Sequence, residues 1–132
     1  MRLGTLVLLF LLLAPLCVAA QDAATQADKY FQAGDWANAA TAYAAITRTD
    51  DRDAKAWFRL ATAYFQLGRD ADAIPAYQKA ESLGVSGLPP GFVAFRLGRC
   101  YARLGDADRA VEWLAKAVEA GTAPVAPLET GT

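Results

Sequence analysis

Residues 57–80 read WFRLATAYFQLGRDADAIPAYQKA. Trp57, Leu60, Ala61 and Tyr64 recur at three- and four-residue steps, which is one stripe of a helix. Leu67-Gly68 ends that helix, the glycine supplying a left-handed stop. Ile74, Tyr77 and Ala80 then mark the inner face of a partner helix that closes at Leu83-Gly84. The stretch therefore predicts a helix pair joined by a tight glycine turn.

The pair is repeated on both sides. Tyr30 precedes Tyr64 by 34 residues, as Gly34 precedes Gly68, Ala39 precedes Ala73 and Tyr43 precedes Tyr77. Downstream the period stretches to 37: Phe58-Arg59-Leu60 returns as Phe95-Arg96-Leu97, Tyr64 as Tyr101, Leu67-Gly68 as Leu104-Gly105 and Ala73 as Ala110. Coincident spacings of this length mark stacked helix pairs, an architecture built to present a groove. Small residues recur at Ala27, Ala61 and Gly98 in the first helices, and at Ala39, Ala73 and Ala110 in the second. Small side chains let paired helices approach closely, and tyrosines fill the space beside them.

On these residues the chain resembles the tetratricopeptide repeat family, whose pattern is W-x2-L-G-x2-Y, a glycine turn, A-x3-F and a late proline. Repeat two matches through Trp57, Leu60, Ala61, Tyr64, Gly68, Ala73, Tyr77 and Ala80, and repeat three through Leu97, Gly98, Tyr101, Gly105, Ala110, Leu114 and Ala117. Repeat one has Ala23 and Gln26 in place of the leading Trp and Leu, and the late proline is absent. The resemblance covers about residues 20–121. It implies an all-α, helix-turn-helix solenoid of three repeats, about 20–53, 54–87 and 91–121, with helices near 22–33, 35–47, 54–67, 71–83, 91–104 and 107–120. It also implies that the first helix of each pair lines a concave face where protein or peptide ligands lie.

Two departures carry expectations of their own. Pro75 would cost about 3 kcal/mol inside a helix. If Asp72 caps the helix, Pro75 falls in the first turn, so a late or kinked start is expected there. The link from Gly84 to Gly91 is longer than usual and is expected to bulge from the stack and tilt repeat three.

The ends differ in kind. Met1-Arg2, an apolar run from Leu3 to Leu13 and Val18-Ala19-Ala20 before Gln21 have the layout of a secretory signal peptide. That predicts an exported, periplasmic chain, with a membrane-anchored one as the alternative if residues 1–20 stay attached. Removing them takes Arg2 and no acid, leaving 12 basic and 14 acidic residues, net −2. Such a balance argues against nucleic acid as a partner. Cys17 leaves with the leader, so Cys100 is alone, and it reads as a small buried apolar residue rather than a reactive thiol. Residues 122–132 are rich in Pro, Ala and Thr and are expected to be poorly ordered, or to lie across the last pair through Val125 and Leu128.

Residues for catalysis are scarce. The chain has no histidine, its only serines are Ser82 and Ser86, and it shows no phosphate loop or zinc spacing. Asp50-Asp51-Arg52-Asp53 lacks the glycine and distal glutamate of a calcium loop. These aspartates, with Asp35, Asp70, Asp72, Asp106 and Asp108, read as helix caps and solvated linker. No enzyme activity, metal or cofactor is expected.

Helical spacing assigns the groove face to Gln21, Ala24, Asp28, Phe31 and Gln32 in repeat one. In repeat two it assigns Lys55, Phe58, Thr62, Phe65 and Gln66, with Arg59 at the edge. In repeat three it assigns Phe92, Phe95, Arg99 and Arg103, with Arg96 at the edge. Between Phe92 and Arg103 lie three arginines and no acid, in a chain that is net acidic. The candidate site is therefore Lys55, Phe58, Arg59, Thr62, Phe65, Phe92, Phe95, Arg96, Arg99 and Arg103. Its chemistry suits a peptide carrying an acidic residue or a free C-terminal carboxylate. The family's chaperone-binding subset holds a terminal carboxylate with lysine and asparagine. Ala24 and Asp28 stand at the first such positions, so that partner is not implied. The sequence thus predicts a non-catalytic protein- or peptide-binding scaffold of the cell envelope. Two other readings fit: a homo-oligomerisation module that uses Val111, Leu114 and Val118 at an uncapped end, and an accessory segment of an envelope enzyme complex.

Overall fold

The computed structural model describes residues 19–122, and among them every regular element is a helix. The first, α1, spans 19–32 of the described residues. It is followed by α2 (Trp36–Thr49), α3 (Ala54–Gln66), α4 (Asp70–Leu83), α5 (Phe92–Arg103) and α6 (Ala107–Thr122). The helices pair in order into three repeats. The leader and the tail lie outside the described residues, save for Ala19, Ala20 and Thr122, all of which are helical.

The turn inside each pair is the same structure three times. The N–H of Asp35, Arg69 and Asp106 donates to the carbonyl of Tyr30, Tyr64 and Tyr101, at 2.9 Å in each case. The N–H of the preceding glycine reaches the carbonyl of Phe31, Phe65 or Ala102 at 3.1 Å. These bonds satisfy carbonyls that a helix end leaves orphaned, and they reverse the chain in two residues. Asp35 then caps α2 through the Asn38 amide, Asp53 caps α3 through the Ala56 amide, and Asp106 caps α6 through the Arg109 amide.

Each expected small-residue site lies in the core. Ala27, Ala39, Ala61 and Ala73 have no exposed surface, and Gly98 and Ala110 are buried. At Gly98 the approach is closest, since a Cβ there would stand 2.6 Å from Leu114 Cγ. Tyr77, Leu97 and Cys100 are the largest fully buried side chains. Burial, with the Asp70 charge adding to it, pushes the Cys100 thiol up to about 11, so the sulfur behaves as a packed apolar atom.

Three expectations are corrected. Helix α4 does not start late: it begins at Asp70, and Pro75 lies within it. Its start, Arg69, makes no side-chain cap bond, while Asp72 pairs with Arg69 instead of capping. Pro75 is tolerated because it and Ala71 are both exposed, so water can hydrate the Ala71 carbonyl that the proline leaves unbonded. Asp70 is no solvated cap either, because it is buried. The Gly84–Gly91 link does not simply bulge, since Val85 and Leu88 are half-buried against the core. In addition, α6 runs two residues past its expected end, through Gly121.

The link closes on Gly91, whose φ of 79° is left-handed and whose Cβ would overlap the Ala117 carbonyl oxygen of α6. Gly87 has a similar φ of 82° but open space around it. Gly91→Ala should therefore lose roughly 2–5 kcal/mol, through backbone strain plus overpacking. Gly87→Ala should lose about 1–2 kcal/mol through strain alone. Urea unfolding of both variants checks the difference, and equal losses would remove the contact between link and α6 as the cause.

Candidate functional site

The residues that spacing assigned to the groove lie on α1, α3 and α5, and the structure divides them into three groups. The first is a polar knot between repeats one and two. Asp28 of α1 accepts hydrogen bonds from the Tyr43 hydroxyl and from the Arg59 guanidinium, which also forms an ion pair with it. Arg59 donates to the Tyr43 oxygen at 2.9 Å and lies over the Phe31 ring at 5.0 Å. Lys55 stands 3.8 Å from the same carboxylate. Burial opposes ionisation of Asp28, but the Tyr43 bond and the charges of Arg59 and Lys55 outweigh it and hold its pKa below the usual carboxylate value. Burial and then the Asp28 carboxylate push Tyr43 up to about 12. Arg59 is therefore paired with Asp28, a residue that spacing had already set on this face, while Lys55 stays largely exposed at the edge of the pair.

The second group is a partly buried aromatic joint between repeats two and three. Phe58 lies against Tyr77 at 5.9 Å and against Phe92 at 6.0 Å. Thr62 is buried, and its hydroxyl donates to the Phe58 carbonyl at 2.9 Å. The Tyr77 hydroxyl, 3.2 Å from the Thr62 oxygen, must then donate to it. Phe58 and Thr62 are packing residues here, with Phe92 half-buried at the edge.

The third group is a ladder of cations and rings. Phe65 is buried, and three guanidiniums gather around its ring: Arg103 at 4.2 Å, Arg99 at 5.1 Å and Arg96 at 5.3 Å. Arg96 also lies over Phe92 at 5.2 Å, and Arg99 over Phe95 at 5.9 Å. Each such contact contributes about 0.5–2 kcal/mol and fixes the cation without using its hydrogen-bond donors. The arginines are not equivalent. Arg103 Nε pairs at 3.1 Å with Asp70, whose side chain is 8% exposed, and its Nη2 reaches the Phe65 carbonyl at 3.4 Å. It ties the end of α3 and the start of α4 to the end of α5. Arg96 and Arg99 make no hydrogen bond or ion pair among the described residues, and Arg96 Nε is buried without an acceptor.

The repeat explains why Arg99 has no hydrogen-bond or ion-pair partner among the described residues. Asp28, Thr62 and Arg99 occupy the same position of successive repeats, as do Tyr43, Tyr77 and Leu114. In repeats one and two this position accepts a tyrosine hydroxyl. In repeat three the tyrosine has become leucine, and the acceptor has become a cation. The face thus carries two guanidiniums seated on phenylalanine rings. Sequence spacing found this pair but could not separate it from Arg103, whose partner Asp70 lies 33 residues away. Among the described residues no cluster of metal-ligating side chains occurs, and no helix is long and apolar enough to cross a membrane.

A family model described as tetratricopeptide repeat matches residues 24–84 and 93–124. No curated protein matches the chain. Among solved structures, MamA (MSR-1) is similar at 23% identity and a TM-score of 0.68, over 76% of this chain and 56% of that one. The chain thus spans little more than half of MamA. PcrH, in complex with the chaperone binding region of PopD, is similar at 22% identity and a TM-score of 0.68, over 78% of this chain and 75% of PcrH. The Yersinia enterocolitica type III secretion chaperone SycD, in complex with a peptide of the translocator YopD, is similar at 19% identity and 0.66, over 75% and 73%.

Two outcomes follow from the ion pairs. Arg103→Ala should lose about 2–3 kcal/mol, somewhat less than a fully buried pair, because it strands the Asp70 charge. Adding Asp70→Asn should restore part of that loss in thermal unfolding. Asp28→Asn should lose about 1–2 kcal/mol near neutral pH, after allowance for solvent screening of a part-exposed carboxylate. The folded pKa of Asp28 is depressed, so its contribution is present above the unfolded value of about 4 and disappears as pH falls through the folded value. Wild type should therefore lose stability more steeply than the variant as pH falls below about 4, as measured by urea titration at each pH.

Proposed function

The chain belongs to the tetratricopeptide repeat family, and from that premise we propose that it is a non-catalytic scaffold that binds a protein or peptide along the α1–α3–α5 face. The observation that carries this reading is the Arg96–Arg99 pair: two cations held by Phe65, Phe92 and Phe95, neither one neutralised among the described residues. Preorganised guanidiniums lose little side-chain freedom on binding, and a fork of donors suits a carboxylate. The ligand is accordingly a segment with an acidic residue or a C-terminal carboxylate. PcrH and SycD, similar in fold, each hold a segment of another protein, which agrees with this use of the architecture. The scarcity of catalytic residue types in the sequence accords with binding rather than chemistry. The leader-like pattern of residues 1–20 supports a place in the cell envelope.

Self-association is a second reading, favoured by Val111 and Val118, which are 67% and 64% exposed on α6. Sedimentation over a hundredfold concentration range separates the two readings, since a monomer throughout removes the second.

The test of the first is native co-purification of the tagged full-length protein beside an Arg96→Ala/Arg99→Ala variant. Arg103 is left in place because its loss would destabilise the fold as well as alter the face. Circular dichroism should show the variant folded, and recovery of the partner should fall about tenfold or more, the size of a hot-spot loss. Equal recovery by a folded variant would overturn the assignment of this face.

A further inference from the structure

Repeats two and three carry a tryptophan on opposite helices of the pair, and the exchange leaves a cleft in repeat two. A shift of 37 residues takes Trp57 of α3 to Ala94, and Ala76 of α4 to Trp113. In repeat three Trp113 packs against the core from α6, and the Lys116 ammonium lies 4.2 Å from its ring. In repeat two the same position of the second helix holds only a methyl group. A cleft of about 520 Å³ is found there, lined by Trp57 and Tyr64 of α3, by Pro75, Ala76 and Lys79 of α4, and by Asp51 of the linker before them. That volume is within the range of ligand clefts, about 300–1,000 Å³. All of its lining lies between residues 51 and 79, and none of it belongs to the set assigned to the groove.

The fold leaves three of these groups unused. Trp57 Nε1 donates to the Asp51 carbonyl at 2.8 Å, which fixes the indole, and no ring or cation stacks on that indole among the described residues. Lys79 is the counterpart of Lys116, yet its ammonium has no ring contact, hydrogen bond or ion pair among the described residues. The Asp51 carboxylate likewise has no partner among them. Tyr64, by contrast, is occupied. Arg69 lies over its ring at 4.7 Å and pairs with Asp72 at 2.9 Å.

We propose that this cleft is a second binding site, separate from the α1–α3–α5 face, for an aromatic side chain of a partner polypeptide with a basic residue beside it. The ring takes the room that Trp113 fills in repeat three. It packs against Trp57, and Lys79 meets its negative face as Lys116 meets that of Trp113. The basic side chain meets Asp51, a contact that selects the partner more than it adds affinity. Trp57 and Lys79 are half-buried, and Asp51 and Pro75 are exposed. The cleft is thus a depression in the surface, and a ring seated in it can remain joined to a chain outside. A partner fits better than a second copy of this chain. The exposed aromatic residue among those described is Phe95, which already has Arg99 over its ring. Its insertion into the cleft of another copy would join two unlike surfaces, a contact that adds molecules head to tail.

The test is selection of random twelve-residue peptides displayed on phage against the immobilised full-length protein, followed by fluorescence anisotropy of the enriched peptides. The proposal expects a class with Phe, Tyr or Trp adjacent to Lys or Arg. Ala76→Trp rebuilds the tryptophan of repeat three and fills the cleft, so affinity for that class should fall about tenfold or more. Pro75→Arg, which sets a long cation at an exposed lining position, should do the same if Ala76→Trp folds poorly. Asp51→Ala should remove the basic preference and leave the aromatic one. The Arg96→Ala/Arg99→Ala variant should bind the class as wild type does. Absence of the class, or equal binding by both cleft variants, would overturn this inference and leave the groove reading intact. Loss of the class in the Arg96→Ala/Arg99→Ala variant would move it to the groove and overturn the second site. Self-association that Ala76→Trp abolishes would make a second copy the occupant. Binding gained only on removal of residues 1–18 or 123–132 would make that segment the occupant, and either result would overturn the assignment to a partner.

Discussion

Two helices can pack as closely as these pairs only where the crossing carries nothing larger than a methyl group. Ala27, Ala61 and Gly98 meet that condition on the first helices, and Ala39, Ala73 and Ala110 on the second. Gly98 shows how little tolerance there is, because a single added carbon would strike Leu114. The rest of the architecture depends on this approach. It brings Tyr43 and Tyr77 across the pair, so that each hydroxyl reaches an acceptor on the first helix. The Tyr30, Tyr64 and Tyr101 carbonyls then close the turns that return the chain for the next crossing.

Close packing leaves one polar position per repeat, and that position has been filled in three ways. As Asp28 it is a carboxylate that pairs with Arg59. As Thr62 it is a neutral hydroxyl, fully occupied inside the core. As Arg99 it is a cation whose tyrosine partner has been replaced by leucine. At this position the first two repeats have a hydrogen-bonded partner, and the third has none among the described residues. The electrostatic gradient along the face runs the same way, from a closed knot to an open pair of guanidiniums. A ligand gains most where the fold has not already used the charge.

Arg103 shows why a charge on a groove face need not belong to the groove. It shares the Phe65 ring with Arg96 and Arg99 but spends its fork on Asp70 and on the Phe65 carbonyl. Its work is to fasten repeat three to repeat two. A carboxylate as buried as Asp70 requires a cation, so the two are a structural unit. Arg96 and Arg99, neighbours on the same helix, have no such carboxylate among the described residues.

The fold was legible because its information is periodic. Spacings of 34 and 37 residues, glycines after each first helix and small residues at the crossings specify three helix pairs with no knowledge of contacts. Helix ends agreed within a few residues, and the misjudged start of α4 came from treating Pro75 and Asp72 as local signals. Backbone exposure decided that point, since a proline facing water loses a hydrogen bond that the solvent can replace. The face bearing the site was legible for the same reason, because helical spacing places residues on a side. What each residue does there was decided only by tertiary structure, since it depends on partners far along the chain. Asp28 closes on Arg59 across 31 residues, and Asp70 meets Arg103 across 33. The sequence by itself determined the stack and the side on which it presents charge. Only the packed helices decided which charges are spent on holding the stack and which remain for a partner, because an ion pair is set by distance in space.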